Sequence, residues 1–117
     1  MARFHYDNES MPNEPYLMNG TYLEITKRAM HDRYQTLRHM YTCLFEAHKN
    51  GGTCFDPLFY YFPTDDNVYT DIESTFIVGG ALKVTPILKS LLSNETTMTA
   101  YFPNGTWVNL YDPSEII

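Results

Sequence analysis

Across residues 21–48 the apolar positions recur at steps of three, four and seven: Leu23, Met30, Tyr34, Leu37, Tyr41, Leu44 and His48. Arg28, Asp32, Gln35, His39 and Glu46 fall on the opposite side. This is the pattern of one amphipathic helix. Thr21 followed by Glu24 reads as a capping box at its start, and Gly51-Gly52 reads as its stop. Beyond the glycines the pattern changes to short strand-like runs at 53–59, 75–78, 81–88, 98–102 and 107–111. Residues 63–71 form a polar loop between them. Gly79-Gly80 predicts a strand-to-strand connection, and Asn104-Gly105 predicts the tight turn of a hairpin.

The helix is long for the chain that holds it. At about 1.5 Å per residue it would reach roughly 42 Å, whereas a compact domain of this length is about 35 Å across. Either the helix breaks in the middle or it belongs to a larger body. The first twenty residues, with Pro12 and Pro15 and little periodicity, read as a long loop leading into it.

Composition narrows the class. With 117 residues, 44% hydrophobic and 15% aromatic, the sequence falls in the range of one globular domain and is not disordered by composition. Its net charge of −6, with no Lys/Arg cluster, disfavours a nucleic-acid partner. No apolar run approaches the length needed for a membrane span, and the N-terminus lacks the apolar core of a signal peptide. Cys43 and Cys54 are too few for a disulfide scaffold and do not form a CxxC pair, so they read as buried thiols. Four N-x-S/T sequons, at Asn8, Asn19, Asn94 and Asn104, stand where composition alone yields about one. They suggest a secretory, lysosomal or extracellular route and are the candidate glycosylation sites.

Unaided, the residues point to little chemistry. The four histidines include no HExxH and no pair placed to ligate a metal with a carboxylate. Asp65, Asp66, Asn67 and Asp71 lack the ligand order and glycine of a calcium loop and read as a solvated acidic turn. Nucleophile elbows and phosphate-cradling glycine loops are missing. The aromatic residues would allow sugar stacking, although most lie at core periods.

Six stretches in register carry a resemblance: "RFHYD" at 3–7, "NEPY" at 13–16, "RYQTLRHMYTCLFEAHKNGG" at 33–52, "DPLFYYFPTD" at 56–65, "FIVGGALKVTPIL" at 76–88 and "YFPNGTW" at 101–107. In that order they resemble the final part of glycoside hydrolase family 31, which includes the α-glucosidases. The resemblance implies an α/β fold: residues 1–75 as the end of a catalytic (β/α)8 barrel, with the long helix and last strand, and 76–117 as the start of the proximal all-β sandwich. It implies a segment of a retaining α-glucosidase-type enzyme acting on an α-linked glucoside or oligosaccharide. The family's two catalytic carboxylates would lie before residue 1, so no catalytic residue is expected here and the segment alone should be inactive. The remainder of the parent enzyme is then its main partner, and no cofactor or metal is implied.

His5 matches a family histidine that binds sugar hydroxyls, and Arg3 matches the arginine before it, in sugar contact or in a supporting ion pair. Phe4, Arg38 and Asp56 depart from the family's usual Asn, Pro and Arg. These departures leave open altered specificity or a pseudoenzyme. A non-catalytic carbohydrate-binding or interaction module is the alternative function.

Overall fold

The structure, a computed structural model, describes residues 14–70, 72–88 and 97–117. The chain divides into two compact units, Met1–Tyr41 and Thr42–Ile117. Its elements are one long helix and a small antiparallel sheet, an arrangement compatible with the α/β class.

In the first unit a single 3-10 turn, Pro15–Leu17, has proline in its first turn, where the missing N–H costs nothing. Helix α1 spans Gly20–Asn50 without interruption, so the predicted helix does not break in the middle. The capping box does not form. The helix starts one residue before Thr21, the Asn19 carbonyl accepts from the Leu23 N–H at 3.4 Å, and the Glu24 carboxylate turns to Lys27 at 2.9 Å.

The more covered side of α1 also differs from the predicted one. Partly covered positions run through Leu23, Thr26, Met30, Arg33, Thr36, Met40, Cys43 and Ala47, while Tyr34, Leu37, Tyr41, Leu44 and His48 are exposed. One residue is a step of about 100° around a helix. Steps of three and four therefore fit two neighbouring stripes, and Leu23 and Met30 belong to both. No residue of α1 is buried.

In the second unit, α1 ends where Gly51 takes φ 78° and donates its N–H to the Ala47 carbonyl at 3.0 Å. A side chain with a Cβ would be strained in that conformation. The reversal brings Cys54 beside Cys43, 11 residues earlier, with Cα atoms 5.5 Å apart, and the two form a disulfide. This corrects the reading of both as buried thiols. Two cysteines cannot make a scaffold, but a glycine reversal between them can make one tie.

Strands β1 (Phe55–Pro57), β2 (Phe76–Val78) and β3 (Leu82–Val84) form an antiparallel sheet in the order β1-β2-β3. Phe55 opposes Val78, and Phe76 opposes Val84. As predicted, Gly79-Gly80 turns β2 into β3, both with positive φ, and the Ala81 N–H returns to the Val78 carbonyl at 3.3 Å. The strands are shorter than their sequence runs. The run 53–59 keeps three strand residues, the last of them Pro57, which has no N–H to extend the ladder and leads into a 3-10 turn at Leu58–Tyr60.

Leu58, Val68 and Ile77 form the buried cluster, with Phe59, Phe62 and Trp107 packed against it. Val68 reaches it from a 3-10 turn at Asp66–Tyr69. The three core residues therefore come from two 3-10 turns and the central strand.

The predicted hairpin around Asn104-Gly105 is also corrected. Residues 98–102 form no strand. Trp107 pairs with the end of the chain instead, its N–H to the Ile117 carbonyl at 2.7 Å and the Ile117 N–H to the Trp107 carbonyl at 2.9 Å. A bridge joins Val108 to Ile116. Pro103 cannot donate to a ladder, and its carbonyl is taken by the Trp107 indole N–H at 2.8 Å.

Candidate functional site

Arg3 and His5, the residues expected to contact sugar, lie outside the described residues, as do Asn8 and Asn94. Asn19 is exposed immediately before α1, and Asn104 is exposed beside the fully buried Pro103. What the structure brings together is a polar and aromatic cluster in the second unit, centred on the loop 101–107.

Asp65 anchors one side of this cluster. Its carboxylate caps the 3-10 turn by accepting from the Asn67 backbone N–H at 3.0 Å, and it also accepts from the Tyr101 hydroxyl at 2.6 Å. The Asn67 amide donates to Asp65 at 3.2 Å and to the Tyr101 oxygen at 3.4 Å. The hydroxyl donated by Tyr101, with the Asn67 donors, holds the Asp65 carboxyl below the usual carboxylate range. The same bond favours the neutral phenol and raises Tyr101. The residues read as a solvated acidic turn thus include a tie between segments 36 residues apart. The Asp-x-Asn spacing signals the local turn, but nothing in the sequence names Tyr101 as its partner.

Rings hold the other side. Trp107 lies 5.6 Å from Phe102 edge to face and 6.2 Å from Phe62, and the Lys83 ammonium sits 4.1 Å from the Phe102 ring centre. Such a cation over an aromatic face is favoured by the ring's quadrupole. Tyr69 stacks on Phe59 at 5.5 Å and donates its hydroxyl to the Pro63 carbonyl at 3.0 Å.

Asp56 is 5% exposed. It accepts from the Thr53 hydroxyl and from the Tyr61 hydroxyl at 2.8 Å. The bond to Asp56, then burial, raises the Tyr61 phenol above its ordinary value. A buried carboxylate without a cation is tolerated when donors meet both oxygens. These two hydroxyls do so, and the ring of Tyr61 lies where a Cβ on Gly80 would meet its oxygen at 3.5 Å.

The arrangement is a locked set of loops on a small sheet, and among the described residues no helix is long and apolar enough to cross a membrane. Residues 51–116 match the glycosyl hydrolase family 31 C-terminal domain. The chain belongs to glycoside hydrolase family 31. It is 37% identical over 108 residues to a lysosomal alpha-glucosidase of Mus musculus, an alignment covering 92% of this chain and 11% of that protein. Similarity to alpha-glucosidase 2 of Bacillus thermoamyloliquefaciens is 37% over 98 residues, covering 84% of this chain and 12% of the relative. An alpha-glucosidase of Hordeum vulgare is 39% identical over 88 residues, covering 75% and 10%. The chain spans about a tenth of the length of these relatives.

Proposed function

We propose that these residues are part of a retaining α-glucosidase-type hydrolase that cleaves α-glucosidic bonds in carbohydrate metabolism. The observation that carries this reading is the match of residues 51–116 to the family's C-terminal domain, alongside relatives named as alpha-glucosidases. In this reading residues 1–75 close a (β/α)8 barrel and 76–117 open the proximal β-sandwich. Pairing of β1 with β2 then forms a hydrogen-bonded seam across that boundary. The exposed apolar residues of α1 support a further element of the same reading, that the remainder of the enzyme covers them.

Retaining hydrolysis requires a nucleophile and an acid/base carboxyl about 5–5.5 Å apart. We assign neither to this chain. His5 would bind sugar hydroxyls at the scissile bond, with Arg3 supporting it or touching the sugar. The lysosomal name of one relative and the four sequons favour a secretory, lysosomal or extracellular location.

The test has two arms. The isolated chain should not hydrolyse an aryl α-glucoside, and activity there would overturn the assignment of roles. In the complete enzyme, His5→Ala should lower kcat/KM on the order of 10²-fold with a fall in kcat, as on losing one preorganised donor. Unchanged kinetics with an intact fold would remove His5 from the site.

A further inference from the structure

Phe102-Pro103-Asn104-Gly105-Thr106 places an aromatic ring two residues before a sequon asparagine and a threonine two residues after it. Pro103 is buried, with less than 2% of its surface exposed, whereas Phe102 and Asn104 on either side of it are exposed. Two residues apart, the Cα atoms of Phe102 and Asn104 lie within about 7 Å of each other whatever the backbone does, so the two exposed side chains start from the same short stretch of loop. The loop is fixed at its ends by the Trp107 indole on the Pro103 carbonyl and by Tyr101 on Asp65. Phe102 is held by Lys83 and Trp107, yet 40% of it remains exposed. The side-chain amide of Asn104 makes no hydrogen bond to the described residues. Asn19, by contrast, has Leu17 at the position of the ring, and its Thr21 lies inside α1.

We propose that Asn104 carries an N-linked glycan whose first N-acetylglucosamine packs its C–H face against Phe102 and the Thr106 methyl. The proposal rests on the secretory reading above. The co-substrate class is a polyprenyl-diphosphate-linked oligosaccharide. The Asn104 amide nitrogen forms a bond to sugar C1, the C1–O bond to the diphosphate breaks, the polyprenyl diphosphate leaves with that electron pair, and the amide proton passes to a base. The hydrogens on one face of the sugar are slightly positive and the face of the Phe102 ring is negative, so the two surfaces attract while both shed water. The glycan thereby becomes part of the packing of the loop.

The experiment is secretion of the full chain from a eukaryotic cell behind a cleavable signal peptide, followed by glycopeptide mass spectrometry at all four sequons. Melting is then compared for the intact glycoform, a form trimmed to one N-acetylglucosamine and an Asn104→Asp variant. Asn104 should be occupied, trimming to one sugar should leave Tm unchanged, and the unglycosylated form should melt about 4 °C lower, as for loss of one aromatic contact in a domain this size. Phe102→Leu, which keeps apolar bulk, should abolish that difference, and Phe102→Tyr should retain it. A bare Asn104 with another sequon occupied would overturn the proposal and leave the secretory reading standing. Four bare sequons would overturn both. Occupancy with the same Tm difference in Phe102→Leu would overturn the packing contact.

Discussion

Tyr101 donates its hydroxyl to Asp65 at 2.6 Å and so ties the loop 101–107 to the turn that carries Val68 into the core. The bond requires an ionised Asp65 and a neutral Tyr101. Asp65 is held below its unfolded value, so its contribution is present above about pH 4 and is lost as pH falls through the folded value. Tyr101 is raised, so its contribution is present below about pH 10 and is lost as pH rises through the folded value. Tyr101→Phe should therefore melt below wild type at neutral pH, with the gap closing toward both extremes. Melting curves from pH 2 to 11 check this, and a gap independent of pH would refute it.

The Cys43–Cys54 tie closes a loop of 11 residues in separation. Chain-entropy arguments assign such a loop about 3 kcal/mol, through restriction of the unfolded chain. Cys43→Ser with Cys54→Ala should lower unfolding free energy by about that amount under oxidising conditions. The difference should vanish when both proteins are measured with a reducing dithiol. Denaturant titration with and without the dithiol is the measurement.

Asp56 is buried with hydroxyl donors at both oxygens. Asp56→Ala removes two hydrogen bonds at about 0.5–1.5 kcal/mol each and should cost about 1–3 kcal/mol, whereas Asp56→Asn keeps an acceptor oxygen and should cost less. Tyr61→Phe should fall near the lower end of that range, because Tyr61 is 43% exposed and water can replace part of the bond. Guanidinium unfolding of the three variants gives the order directly.

The exposed apolar side of α1 should make the isolated chain prone to self-association. Tyr34, Tyr41 and Leu44 are 67%, 74% and 51% exposed. Tyr41→Glu combined with Leu44→Lys should reduce light scattering at high concentration without loss of helical circular dichroism. In the complete enzyme the same pair should be destabilising if these residues are covered there. A soluble double variant whose complete enzyme keeps full stability would argue against that cover.

Much of the backbone plan follows from local sequence. The helix, its glycine stop, the Gly79-Gly80 turn and the strand at 76–78 each depend on neighbours a few residues away, where hydrogen bonding and φ preference act without help from distant parts of the chain. The order of six short motifs carries the family, because register across most of the chain is information that periodicity lacks. The tertiary structure decided what depends on distant partners. Proximity after a reversal pairs Cys43 with Cys54, the packing of two loops pairs Asp65 with Tyr101, and Trp107 joins the end of the chain because Pro103 cannot complete a hairpin ladder. It also decided which of two adjacent stripes on α1 is covered, since steps of three and four fit both and only packing distinguishes them.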